Sequence, residues 1–239
     1  MYPANFRSGA ISVMRSFRLY PVLRFFKNLL HASSQSFSQT GEDLIIQKYF
    51  KDERITYIDV GSGEPILRSN SYLFYKKGYS GILVDPLKTN MILTKLMRPR
   101  DKFVCSLVGE NVGLKQFIEY EAYEYSSMSQ PFSVNEQNSE KLDMKIRHTH
   151  LLPVRTLNDI AAKHLDTSIP WFLSIDVEGA DFEVLKSYDF EFSKPYLICI
   201  EDHNYQRNQF SLQNNYIMNL GYKLVEKTDL SLIYILDVN

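Results

Sequence analysis

Four short stretches of this sequence set glycines or carboxylates where chemistry could be done. Asp59-Val60-Gly61-Ser62-Gly63-Glu64-Pro65 follows an apolar run and precedes a helix-like segment. Its glycines let the backbone turn sharply and come close to a ligand, although a plain glycine turn reads the same way. Gly81-Ile82-Leu83-Val84-Asp85-Pro86 ends in an acid. An acid there can accept hydrogen bonds from both ribose hydroxyls of a nucleotide-like cofactor, or simply mark a turn. Asp176-Val177-Glu178-Gly179 and Glu201-Asp202-His203-Asn204 close two further apolar runs. Five ionisable side chains at two neighbouring strand ends are hard to assign to packing, because buried unpaired charge is costly. Oxygen ligands from Asp176, Glu201 and Asp202 could hold one hard cation such as Mg²⁺. A solvated acidic rim with helix-capping roles is the alternative.

These residues need elements that bring them to one edge. Strands are expected over 55–60, 81–85, 102–108, 116–120, 170–177, 195–200, 222–227 and 230–236, with a short one over 151–154. Helices are expected over 69–77, 88–97, 156–165, 181–188 and 209–220. Ser38-Gln39-Thr40-Gly41-Glu42-Asp43 reads as a capped helix start with acids in its first turn. Strands alternating with helices imply a parallel sheet covered on both faces. The last two strands are joined by a tight turn, so they run antiparallel. This is the pattern of the class I methyltransferase variant of the Rossmann-like fold: an α/β, mostly parallel seven-stranded sheet with a reversed C-terminal strand. In such a sheet, ligands bind beyond the carboxyl ends of the strands.

The 239 residues carry 27 Lys plus Arg against 28 Asp plus Glu, a net charge of −1. No global basic field exists to capture nucleic acid. Cys105 and Cys199 sit in apolar runs and read as buried free thiols in a reducing compartment, the cytoplasm. No stretch reaches the ~18–20 apolar residues of a membrane span. From Met1 to Gly41 there is no acid, while Arg7, Arg15, Arg18, Arg24 and Lys27 alternate with apolar and aromatic residues. Packing on the domain is the first reading of this stretch. Contact with an anionic membrane surface is the second. The chain is therefore divided into a basic, aromatic-rich extension over 1–35 and one α/β domain over 36–239.

At its motif residues the sequence resembles the FkbM family of methyltransferases, from about Ser36 to Asp237. The resemblance runs through the Ser38–Asp43 opening, Asp59-Val60-Gly61, Ser69-Asn70, Gly81–Pro86, Thr156-Leu157, Ser174–Gly179 and Ile200-Glu201. It implies S-adenosylmethionine as cofactor and O-methylation of a sugar, glycan or similar small natural product. It also implies that Asp59, Gly61 and Gly63 lie by the cofactor's amino-acid end and that Asp85 holds the ribose. Ser69 and Asn70 would support the loop, and Ser106 would approach the adenine. Related metal-dependent sugar O-methyltransferases share the acids at the ends of strands four and five, which supports the Mg²⁺ reading. The sequence departs from the family where Gly63-Glu64-Pro65 replaces a polar residue, an acid and a glycine. Pro65 lacks an N–H and fixes φ. Asp181 also stands where Glu is commoner.

Methyl transfer to a hydroxyl needs alignment and a proton acceptor. Glu178 is the first candidate base and His203 the second, with Asp176 beside them. The irregular stretch 121–150 is long for a loop and would cover the acceptor. Two rivals remain at this stage. One is a degenerate methyltransferase fold that serves as a scaffold, docking through its basic N-terminus. The other is a nicotinamide oxidoreductase, disfavoured by the reversed last strand and the incomplete G-x-G-x-x-G.

Overall fold

The computed structural model describes residues 20–51, 53–120, 146–202 and 211–237. The main sheet follows from five short apolar runs, each too short and too evenly apolar for a surface helix. They are β1 (Thr56–Val60), β2 (Ile82–Val84), β3 (Lys102–Val104), β7 (Trp171–Ile175) and β8 (Leu197–Glu201), completed by β9 (Tyr222–Lys227) and β10 (Ser231–Leu236). The order is β3-β2-β1-β7-β8-β10-β9. The first five strands run parallel, and β10 is antiparallel to both of its neighbours. The expected seven-stranded sheet with a reversed C-terminal strand is therefore present.

Alternate residues of each strand enter different cores. Ile58, Val60, Leu173, Ile175, Ile198 and Ile200 face one apolar cluster. Tyr57, Leu83, Phe172, Leu197 and Cys199 face the other. The first cluster takes in residues of α5 (Leu157–His164), α6 (Asp181–Lys186) and α7 (Leu212–Asn219), and the second those of α2 (Glu42–Phe50) and α3 (Tyr72–Lys76). Two helices flank these layers on the amino-terminal half: α1 (Tyr20–His31) and α4 (Lys88–Met97). Cys199 is buried and Cys105 half-buried, and both are free thiols.

Three expectations need correction. The third strand is not continuous over 102–108. It breaks at Cys105-Ser106 into β3 and a two-residue β4 (Leu107–Val108). β4 belongs to a second sheet, ordered β4-β6-β5, with β5 (Gly113–Tyr120) and β6 (Ile146–Arg155). The short strand expected over 151–154 is thus the end of a ten-residue strand. It went unseen because β6 is mostly exposed and lacks strict alternation. Finally, the hydroxyl that serves the start of α2 is not at the N-cap position: Ser38 Oγ, from further back, accepts from the Gly41 and Asp43 N–H groups. The N-cap itself is Gly41 in the left-handed conformation. The Asp43 side chain accepts from Ser36 and Ser38 Oγ and from the Phe37 N–H.

Candidate active site

The carboxyl ends of β1, β2 and β7 open on one cleft, as a parallel sheet requires. Its floor is Val60-Gly61-Ser62-Gly63-Glu64. Gly61 and Ser62 N–H both donate to the Val84 carbonyl, at 2.9 and 3.2 Å, so the chain folds back over β2. Gly61 has φ 84°. A Cβ on it would sit 1.7 Å from the Asp176 carbonyl oxygen, so no other residue fits. Ser62 Oγ is buried with no hydrogen-bond partner among the described residues, and Ser62 lines the cleft. A buried hydroxyl without a partner is uncommon, and here it belongs to a residue of the cleft lining.

Asp85 lines the same cleft from the end of β2. Its carboxylate accepts from Gly63 N–H at 3.0 Å, Leu87 N–H at 2.8 Å and Asn90 Nδ2 at 3.0 Å. Burial pushes its pKa up to about 6, and those donors together with Arg24 oppose the rise. Asp85 is therefore ionised at neutral pH and retains acceptor capacity towards hydroxyls. Part of the lining is apolar: Leu87 joins Leu107 and Phe117 of the second sheet. An apolar lining in the same cleft as a fixed carboxylate suits a nucleoside, with its ring against the one and its ribose against the other.

The glycine loop is also held from outside the sheet. Arg24, on the buried face of α1, donates from Nε to Glu64 Oε1 and from Nη2 to Asn90 Oδ1, each at 2.8 Å. Asn28, one turn on, donates to Glu64 Oε2 at 2.8 Å and accepts from the Ile66 and Leu67 N–H groups at 3.0 Å. Within the Gly63-Glu64-Pro65 departure, Glu64 is thus the residue that the α1 side chains clamp. Sequence reading missed Arg24 and Asn28 because their partners lie 36–66 residues away.

Under the loop, Asp59 is buried and is not among the residues lining the cleft. It accepts from Ser71 Oγ at 2.5 Å. Ser71 in turn accepts from Arg98, which also donates to Ser69 Oγ, to the Pro65 carbonyl and to Asp101. Asn70 donates to Ser174 Oγ at 3.0 Å and is likewise absent from the cleft lining. So Asp59, Ser69 and Asn70 brace the loop from below and do not face the cleft. Ser106 does line the cleft, at the break between β3 and β4, but its hydroxyl donates to the Leu107 and Pro153 carbonyls. Its backbone, rather than its Oγ, is what the cleft offers.

At the β7 end, Asp176, Val177 and Glu178 line the cleft. Asp181 holds this turn, accepting from Val177 and Gly179 N–H at 3.0 Å. The turn forces Glu178 to φ 56°, a left-handed conformation costly for a residue with a Cβ and most often kept at functional sites. Beside it stand more acids. Burial, then the nearby Glu201, Asp181 and Asp59 carboxylates, push Asp176 well above the usual range. Burial, then Glu178 and Asp181, raise Glu201 to about 8. Glu42 joins them from α2. Burial works to raise its pKa, but hydrogen bonds from Thr40 and Thr228 outweigh that and hold it low. Its charge contributes to the rise at both Asp176 and Glu201. The Ser38–Asp43 motif thus reaches the strand ends, and Gln39 itself lines the cleft. Read as a helix start, it hid this role.

The expected metal trio is not assembled. Asp176 and Glu201 are near neighbours, but the Asp202 carboxylate accepts from Ser211 Oγ. Among the described residues no three His, Cys, Asp or Glu side chains stand together as a cation site. His203 lies outside the described residues, as do residues 121–145 of the stretch expected to cover the acceptor. Of that stretch, residues 146–150 are the start of β6. No helix among the described residues is long and apolar enough to cross a membrane.

The family model for the methyltransferase FkbM domain matches residues 59–224. Among solved structures, the chain is similar to the methyltransferase domain of bacterial CtHen1-CN at 10% identity and a TM-score of 0.39, over 81% of this chain and 95% of that one. So distant a likeness says nothing about site or substrate. No curated protein matches the chain.

Proposed function

The chain belongs to the FkbM methyltransferase family, and from that premise we propose that it transfers a methyl group from S-adenosylmethionine to a hydroxyl of a small acceptor such as a sugar, a glycan or another natural product. The observation that carries the reading is the pairing, in one cleft, of an ionised buried Asp85 with a Gly61 turn that admits no side chain. Asp85 would accept from the ribose hydroxyls, and Leu87, Leu107 and Phe117 would flank the adenine. The partnerless Ser62 hydroxyl would bind a polar group of the cofactor's amino-acid end.

When bound, S-adenosylmethionine supplies an electrophilic methyl group on a sulfonium, which an acceptor oxygen displaces in line. The chain's part is to align that oxygen and receive its proton. Glu178 would do so; what supports this is that it lines the cleft with Asp85, on a turn fixed by Asp181. The neighbouring Asp176 and Glu201 would raise the proton affinity of the cluster, which suits a base working near neutral pH. Mg²⁺ is not needed for this account.

The test is a methyl-transfer assay with labelled S-adenosylmethionine over a panel of hydroxylated acceptors. Glu178→Gln is expected to lower turnover by about 10²–10⁴-fold while cofactor affinity stays within about twofold. Full turnover by Glu178→Gln would remove Glu178 from the role of base. Methylation of amines alone would overturn the hydroxyl assignment.

A further inference from the structure

Two helices carry the chain's basic and apolar residues without a single acid. α1 reads Tyr-Pro-Val-Leu-Arg-Phe-Phe-Lys-Asn-Leu-Leu-His, and α4 reads Lys-Thr-Asn-Met-Ile-Leu-Thr-Lys-Leu-Met. They meet through the Arg24–Asn90 hydrogen bond and pack against each other. Their polar buried groups, Arg24, Asn28 and Asn90, face inward to the cofactor loop. What they turn outward is apolar. Phe26 is 55% exposed, Leu30 79%, and Ile92 and Leu96 68% each, with Val22, Leu23 and Leu29 also open to solvent. Lys27, Lys88 and Lys95 lie exposed among them.

Large apolar side chains left exposed on two helices that pack together mark a contact site. Its charge says which kind. The whole chain is nearly neutral, at −1, yet the described residues of α1 and α4 include lysines and no carboxylate. A second copy would meet the same lysines on itself, like charge against like. An anionic bilayer offers hydrocarbon for the apolar side chains and headgroup charge for the lysines together. We propose that the α1–α4 surface docks on anionic lipid membranes, holding the enzyme at the bilayer with α1 between lipid and cofactor loop. This does not depend on the methyl-transfer reading, since it concerns binding alone.

The full chain would be co-sedimented with vesicles of phosphatidylcholine alone and of phosphatidylcholine with phosphatidylserine, at low and high salt. The expected result is binding to the anionic vesicles that weakens as salt rises, with little binding to the neutral ones. The paired change Ile92→Glu and Leu96→Glu, confined to α4, should lower that binding by about tenfold or more. Lys27→Gln with Lys95→Gln should remove the preference for anionic lipid. Both pairs are exposed, so thermal melts should match the unaltered protein; if the Glu pair unfolds, Ile92→Ser with Leu96→Ser replaces it. Absence of vesicle binding, or binding indifferent to the α4 changes, overturns the proposal. A dimer that the α4 changes split, without any vesicle binding, also overturns it and assigns the surface to a second copy.

Discussion

Two carboxylate sites stand on the same sheet edge, at the end of β2 and at the ends of β7 and β8, with β1 between them, and their surroundings differ in kind. Asp85 is surrounded by donors: two backbone N–H groups and an amide that is itself held by Arg24. Asp176 and Glu201 are surrounded by acids, with Glu178, Asp181 and Glu42 close by. Burial raises all three, but donors limit the rise at Asp85 to about 6, while the neighbouring charge takes Glu201 to about 8. At neutral pH the first site is a preorganised anion, ready to accept hydroxyls. At the second, burial and the neighbouring acids favour the protonated form of Asp176 and Glu201. Binding and proton transfer are thereby separated along one cleft, each set by what the neighbouring loops present.

The largest disturbance to this arrangement should come from Gly61→Ala. The new Cβ would collide with the Asp176 carbonyl that links the two sites, at a backbone angle that already disfavours side chains. A loss of about 3 kcal/mol or more is expected, seen as a fall in the denaturation midpoint along with loss of cofactor binding. A midpoint within error of the parent would show that the loops are not pressed together as described.

Glu201→Gln tests the proton-holding site with a smaller, directional effect. The pKa of Glu201 in the folded chain lies above its ordinary 4.5. Its stabilising contribution is therefore complete below about 4.5 and is lost as pH rises towards about 8. Melting temperatures measured from pH 5 to 8 should decline in the parent and decline less in Glu201→Gln, with the variant gaining most at pH 8. Asp85 adds a decline of the same sign confined to lower pH, between 3.8 and about 6. Parallel curves for parent and variant would mean that the acids do not interact as their placement implies.

The same contrast explains what could be read from sequence. Asp85 and Gly61 were legible because each directly follows an apolar run, and strand ends in a parallel sheet point at the ligand. The mostly parallel seven-stranded sheet and its reversed last strand were legible for a related reason: buried strands leave near-continuous apolar runs. What surrounds the site was not legible, because it arrives from remote segments. Arg24 and Asn28 reach Glu64 from α1, and Thr228 reaches Glu42 across 186 residues. Asp59 misled for another reason. It sits in a motif position, but strand parity and the Ser71–Arg98 network hold it beneath the cleft. Asp202 adjoins Glu201 in sequence, yet adjacent residues at a strand end diverge, and Ser211 takes it away from the other acids.

The most direct test of the central claim is calorimetric binding of S-adenosylmethionine and S-adenosylhomocysteine to the parent, Asp85→Asn and Glu201→Gln. The account predicts binding by the parent, affinity lower by about 10–100-fold in Asp85→Asn, and affinity little changed in Glu201→Gln. No binding by folded parent protein, or equal affinity in Asp85→Asn, would contradict the assignment of this cleft to the methyl donor.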